Sequence, residues 1–66
     1  MKNSIKVERA ILDITQEELA NKISVSRQTI NSIEKNRFVP STLLALKLSQ
    51  LFGKPVNEFF ELEESD

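Results

Sequence analysis

Residues 15–34 read TQEELANKISVSRQTINSIE, a pattern that predicts two short helices joined by a tight turn. Thr15 and Glu18 have the S/T-x-x-E spacing of a capping box, in which two side chains bond the free backbone amides at a helix start. The first of these helices is therefore expected to begin at Gln16. Its apolar residues lie on one narrow face at helical spacing, and they are Leu19, Ala20 and Ile23.

The second helix follows a short interruption at Ser24-Val25-Ser26. Ser26 is a good N-cap, because its hydroxyl can accept a hydrogen bond from an amide in the first turn. The small side chain of Ala20 allows the two helices to cross closely, as a helix-turn-helix requires, so we assign this motif to residues 16–34. The residues of the second helix predicted to face inward are Thr29, Ile30 and Ile33.

The outward face of the second helix carries side chains suited to reading DNA. Arg, Gln and Asn can form bidentate hydrogen bonds with the edges of guanine or adenine. A merely solvated face would more often carry Glu and Lys. We therefore predict base contacts from Arg27, Gln28, Asn31 and Ser32. The alternative interpretation is a plain αα-hairpin with a polar surface.

Three segments, TQEELA, VSRQTINSIEKNR and PSTLLALKL, resemble the Xre/Cro/C1 family of bacterial and phage regulators. The likeness extends from about Ile5 to Phe60, and it is greatest to the compact class that includes the cytolysin repressor. This resemblance implies a mostly all-α fold, a five-helix lambda-repressor-like DNA-binding domain. In that class the two termini pair as a small antiparallel sheet. We expect residues 1–66 to form a single domain of this kind.

A helix before the motif is predicted from Asn3 or Ser4, either of which can cap it, to about Leu12. The residues on its inward face are Ile5, Arg9 and Leu12. Arg9 is the unusual member, and Glu34 at the end of the second motif helix could meet it as a partly buried ion pair. The resemblance implies this Arg9–Glu34 pair, with the structural role of holding the first helix against the third.

The chain after the motif is predicted to form a loop and a fourth helix. Asn36 is a plausible left-handed C-cap, and Pro40 prevents the preceding helix from continuing. Ser41 can cap the fourth helix, which ends at Gly53. The apolar stripe that should close the core consists of Leu44, Ala45, Leu48 and Phe52.

A last helical turn is expected to begin at Lys54-Pro55 and to run to about Phe60, with Phe59 or Phe60 as its anchor. The alternation FELEE that starts at Phe60 allows a short strand. Since the termini pair in the compact class, residues 1–4 are its expected partner.

Phosphate contacts are predicted around the second motif helix. If that helix enters the major groove, Asn36 and Arg37 would lie beside the DNA backbone, the Arg as a charge and the Asn through its amide or backbone N–H. Lys22, Arg27, Lys35 and Arg37 cluster around the same helix. The complete predicted set is Gln16, Lys22, Ser26, Lys35, Asn36 and Arg37.

Charge is distributed unevenly along the chain. The net charge is −1, but residues 1–57 carry nine basic and five acidic side chains, a balance of +4. The C-terminal tail, residues 61–66, is acidic. We interpret the chain as a basic face with an acidic tail, which is either simply solvated or else repels misplaced DNA or contacts another protein.

Composition excludes several functional classes. The 66 residues contain no Cys, so the chain cannot form a disulfide or a thiolate metal site. They also contain no His, which removes the usual base of a nucleophilic catalytic pair. Glu17 and Glu18 are adjacent on a helix and therefore diverge. We predict no enzyme, no metal and no cofactor. The absence of a membrane-length apolar stretch or a leader leads us to expect a soluble, cytoplasmic protein.

The leading functional hypothesis is a sequence-specific DNA-binding regulator, a repressor that binds a roughly palindromic operator as a homodimer. The resemblance places Val39 and Val56 in the dimer contact, with Phe60 nearby. Neither valine falls on the apolar stripe of its neighbouring helix. The alternative is an antitoxin or adaptor that acts mainly through a protein partner.

Overall fold

The computed structural model describes residues 1–66 and contains four α-helices, a 3-10 turn and a pair of short strands. The helices are α1 (Ile5–Leu12), α2 (Gln16–Lys22), α3 (Arg27–Glu34) and α4 (Thr42–Phe52). The strands are β1 (Lys2–Asn3) and β2 (Phe60–Glu61), and the 3-10 turn spans Val56–Glu58. No helix combines the length and the apolar character needed to cross a membrane.

The prediction of a fifth helix is wrong, because the structure has four α-helices. The segment after Pro55 forms only a three-residue 3-10 turn. Its backbone bonds run from Glu58 N–H to the Pro55 carbonyl (3.0 Å) and from Phe59 N–H to the Val56 carbonyl (3.1 Å). Both bonds join residues three apart, which is the 3-10 pattern and not the α-helical one, and the chain enters β2 directly afterwards at Phe60.

Side-chain caps begin three of the helices, as predicted. Thr15 Oγ1 accepts from the Glu18 amide and Glu18 Oε1 accepts from the Thr15 amide, both at 3.0 Å, which completes the capping box of α2. Ser26 and Ser41 accept from amides in the first turns of α3 and α4, each at 3.2 Å. These local bonds set the starts of the helices.

Left-handed residues end the helices or turn the chain between them. Asp13, Ser24, Asn36 and Gly53 have φ values of 56°, 61°, 60° and 66°. The predicted left-handed C-cap at Asn36 and the helix end at Gly53 are confirmed. Ser24 lies in the turn between α2 and α3, where a residue with a Cβ adopts a conformation that favours glycine.

The termini pair as predicted. Strands β1 and β2 are antiparallel, with Lys2 opposite Glu61 and Asn3 opposite Phe60. The side chain of Asn3 also reaches the end of α3, because its Nδ2 donates to the Ile33 carbonyl at 2.8 Å and to Asn36 Oδ1 at 2.9 Å. The strand pair therefore contributes to holding the C-terminal end of α3.

Residues of all four helices form the core, together with Phe59 directly before β2 and Phe60 within it. Its buried residues are Ile5, Leu19, Ala20, Ile23, Ile30, Ile33, Leu44, Leu48, Phe59 and Phe60. Phe59 is the deeper of the two candidate anchors, and its ring meets that of Phe52 edge to face at 5.0 Å. Apolar burial of this kind is the main favourable contribution to folding.

The inward face of α1 differs from the prediction. Leu12 is exposed, whereas Glu8 is only 5% exposed and its Oε2 accepts from Lys54 Nζ at 3.0 Å. Leu12 is the last residue of α1, and the chain turns away at Asp13. Burial of Glu8 is tolerated because its charge is paired with that of Lys54.

Arg9 and Glu34 join α1 to α3 through two hydrogen bonds, Arg9 Nε to Glu34 Oε2 at 2.6 Å and Nη2 to Oε1 at 3.0 Å. Gln16 Nε2, at the start of α2, also donates to Glu34 Oε1 at 3.1 Å. The side chains of Arg9 and Glu34 are 15% and 9% exposed. The hydrogen bond to Glu34 raises the pKa of the Arg9 guanidinium.

Replacing Ser24 by glycine should stabilise the protein. Holding a non-glycine residue in the left-handed conformation costs about 1–2 kcal/mol of folding free energy. Glycine has no such strain, but its greater loss of backbone entropy on folding costs about 0.5–1 kcal/mol. Ser24→Gly should therefore raise the unfolding free energy by about 0.5–1 kcal/mol and the melting temperature by roughly 2–8 °C. Ser24→Ala, which keeps the strain, is the control. A glycine variant that melts no higher than the alanine variant contradicts the prediction.

Glu34→Gln should destabilise the fold by about 3 kcal/mol, because it leaves the Arg9 charge largely buried without a counter-charge. Chemical denaturation measures the loss. Glu17→Gln is the matched control, since Glu17 is exposed and makes no ion pair. If the Glu34 variant melts within a degree or two of the parent, the ion pair contributes no net stability.

Candidate nucleic-acid interface

The first turn of α3 presents two of the predicted base-reading side chains to solvent. Arg27 and Gln28 are exposed, and the Ser26 cap orients the helix start that carries them. Asn31 and Ser32, one turn later, are half-buried. The N-terminal part of the second helix in this motif is the part that reaches base edges in the major groove. The exposed pair therefore occupies the position that base reading requires.

Asn31 is less free than the other predicted reading residues. Its Oδ1 lies 3.4 Å from Gln16 Nε2, the same nitrogen that donates to Glu34. A bidentate contact with adenine uses both the oxygen and the nitrogen of the amide. Asn31 can therefore donate to a base directly, while its oxygen is shared with the start of α2.

The six predicted phosphate contacts divide into two groups. Lys22, Lys35 and Arg37 are exposed cations at the end of α2, directly after α3 and in the following loop. The three polar members are engaged within the protein: Gln16 bonds Glu34, Ser26 caps α3, and Asn36 Oδ1 accepts from Asn3. The cations are thus the side chains whose charged groups are available to phosphates.

The acidic tail contacts the opposite end of the chain. The amino group of Met1 lies 3.1 Å from both Glu63 Oε1 and Asp66 Oδ2. Hydrogen bonds to Glu63 and Asp66 raise the pKa of this amino group. The bond from the Glu63 amide, with the amino terminus, lowers the pKa of the Asp66 carboxyl. None of the tail's hydrogen bonds or ion pairs involves α3.

The three residues predicted for a dimer contact line one apolar groove. The groove is formed by Met1, Val39, Pro40, Thr42, Ala45, Leu46, Val56 and Phe60. Val39 is 66% exposed, whereas Val56 is half-buried and Phe60 is only 7% exposed. Val39 and Leu46 are the exposed large apolar side chains of the groove, and Phe60 is its most buried member. We name this surface the Val39 groove.

Several contributing residues were missed from the sequence. Leu46 lies off the predicted stripe of α4 but lines the Val39 groove. The signal was present, because α4 reads TLLALKLSQLF and has more apolar residues than one face can bury. No such signal existed for the bond from Asn3 to the end of α3 or for the Glu8–Lys54 pair, since both join segments that are distant in sequence.

The structure contains no group of three or more acidic, His or Cys side chains that could hold a metal ion. Its distinctive surface features are the first turn of α3 with the neighbouring cations and the Val39 groove.

Comparison with known proteins agrees with this arrangement. The chain matches the sequence profile of the helix-turn-helix family over residues 5–59. An uncharacterized HTH-type transcriptional regulator of Methanocaldococcus jannaschii is 46% identical, and one of Bacillus subtilis is 44% identical, each over 100% of both chains. A similarly named protein of Archaeoglobus fulgidus is 38% identical over 100% of this chain and 93% of its own length.

The profile match includes α1 to α4 and therefore spans the elements that carry the reading face. The resemblance inferred from the motifs is confirmed. The chain belongs to the Xre/Cro/C1-type helix-turn-helix family, and its relatives are named as HTH-type transcriptional regulators.

Proposed function

We propose that residues 1–66 form one DNA-binding domain that recognises a roughly palindromic operator as a homodimer and represses transcription. The observation that supports this most directly is the exposed first turn of α3. It carries Arg27 and Gln28, and the exposed cations Lys22, Lys35 and Arg37 lie at the end of α2, directly after α3 and in the following loop. Bases would be read by Arg27 and Gln28, with Asn31 and Ser32 adding contacts, while the cations bind phosphates.

Dimerisation is supported by the Val39 groove. A single reading helix contacts too few base pairs to be specific. Two half-sites centred about 34–36 Å apart combine their contacts only if two subunits are held at that spacing. An apolar groove with exposed Val39 and Leu46 offers a surface that a second copy of the chain can bury.

Repression by occlusion of polymerase is the simplest mechanism for this arrangement. Blocking a promoter requires only that the dimer occupy its operator tightly.

Gln28→Ala should weaken binding to the preferred operator by about 1–3 kcal/mol and relax the preference at one base pair, because it removes a bidentate base contact. Arg37→Ala should weaken binding to all sequences alike and reduce the salt slope by about one. Affinities are measured for the selected operator and for random duplex DNA over a range of salt concentrations.

Gln50→Ala is the control for these variants, since Gln50 is an exposed glutamine on α4, outside the reading motif. Equal losses on operator and random DNA for the Gln28 variant would assign Gln28 to the phosphate backbone and contradict the proposed readout.

Val39→Asp should give a folded monomer that binds operator no better than random DNA, because the charge prevents burial of the Val39 groove. Sedimentation measures the oligomeric state, and fluorescence anisotropy measures the binding. Val56→Asp should act similarly, with circular dichroism to check folding because Val56 is half-buried.

Leu43→Asp is a matched control for Val39→Asp. Leu43 is 65% exposed, as Val39 is at 66%, but it does not line the Val39 groove. Leu43→Asp should remain a dimer with normal affinity. A Val39 variant that still sediments as a dimer and still prefers the operator would place the interface elsewhere.

A further inference from the structure

A notch on the reading side of α3 contains an aromatic ring that the proposed contacts do not use. The notch is lined by Gln28, Thr29, Ser32, Arg37 and Phe38. Phe38 is 48% exposed, although its neighbours in the notch are polar or charged. Phe38 therefore presents apolar surface in the same notch as Gln28, proposed to read bases, and Arg37, proposed to bind phosphate.

The chain directly before Phe38 is held by bonds to α3. The Arg37 amide donates to the Ser32 carbonyl at 2.9 Å, and the Asn36 amide donates to the Ile33 carbonyl at 3.0 Å. With Asn36 left-handed, these two bonds form a Schellman motif. Asn3 Nδ2 adds bonds to the Ile33 carbonyl and to Asn36 Oδ1. The residue directly before Phe38 is thus tied to the reading helix.

The chemistry of the notch fits one feature of the major groove. Thymine carries a 5-methyl group there, and this is the only apolar group that a base pair presents to a protein in that groove. Polar side chains cannot distinguish it by hydrogen bonding, whereas an aromatic ring can cover it. A ring held beside Gln28 and Ser32 would meet such a methyl group at the edge of the bases that α3 reads.

We propose that Phe38 is a specificity-determining residue whose ring packs against the 5-methyl group of a thymine in each half-site of the operator. The assignment rests on the proposed function, since it requires α3 to enter the major groove. Phe38 adds a requirement for a methyl group to the hydrogen-bond readout by Arg27 and Gln28. It extends base reading from α3 to the loop that follows it.

The experiment replaces thymine by deoxyuracil, which lacks only the 5-methyl group. An operator is first selected from random duplex DNA, and each thymine is then replaced symmetrically in both half-sites. Burial of one methyl group corresponds to about fourfold in affinity, so one replaced position should weaken wild-type binding by about fourfold per half-site. Phe38→Ala should bind the thymine and deoxyuracil operators equally.

Two further variants identify the side chain responsible. Phe38→Leu keeps an apolar side chain and should retain a reduced preference for thymine. This variant replaces Phe38→Ala in the binding assay if Phe38→Ala melts at too low a temperature to be measured. Thr29→Ser removes the methyl group that Thr29 contributes to the notch but keeps the hydroxyl that lies 2.9 Å from Ser26 Oγ. It should leave the thymine preference unchanged.

Three results would overturn the assignment. One is that no thymine in the selected operator is sensitive to loss of its methyl group. Another is that Phe38→Ala weakens all duplexes while keeping the ratio between thymine and deoxyuracil, which would place the ring on the sugar-phosphate backbone. The third is that Thr29→Ser, and not Phe38→Ala, abolishes the preference. A selection that yields no preferred sequence would instead overturn the proposed function, and this assignment with it.

Discussion

The carboxylate of Glu34 is the group on which the arrangement of the first three helices depends. One oxygen accepts from Arg9 on α1, and the other accepts from both Arg9 and Gln16 at the start of α2. A largely buried carboxylate is tolerated only when its acceptor sites are used and its charge is matched. Glu34 is the last residue of α3. The end of the reading helix therefore cannot shift without breaking bonds to both preceding helices.

The segment directly after Glu34 connects the two surfaces of the proposed function. Asn36 turns the chain, and the side chain of Asn3 from β1 bonds it there, so the paired termini also fix the loop. Two consecutive residues then serve different surfaces, because Phe38 lines the notch beside α3 and Val39 lines the apolar groove. In this arrangement the proposed operator reading and the proposed subunit contact share one short loop. A change in the loop would affect both.

Local signals in the sequence predicted the helix boundaries well. The caps at Thr15, Ser26 and Ser41 form as expected, because a capping bond joins residues three apart and needs no tertiary context. The failures all involve packing between distant segments. Leu12 was expected inside, but the face of α1 that packs includes Glu8, which is buried because Lys54 reaches it. In place of the fifth helix, Val56–Glu58 form a 3-10 turn shortly before β2, which pairs with β1 from the other end of the chain.

The sequence by itself determined the family, the helix-turn-helix and the identity of the exposed residues in the first turn of α3, since these depend on periodicity, caps and motif spacing. Only the tertiary structure decided which predicted contacts are available. It engaged Gln16 and Asn36 in internal hydrogen bonds, left the cations exposed, and brought Val39, Val56 and Phe60 into one groove. The physical reason is that polar side chains form bonds wherever packing places a partner within reach, and the partners of Gln16 and Asn36 lie 18 and 33 residues away in the chain.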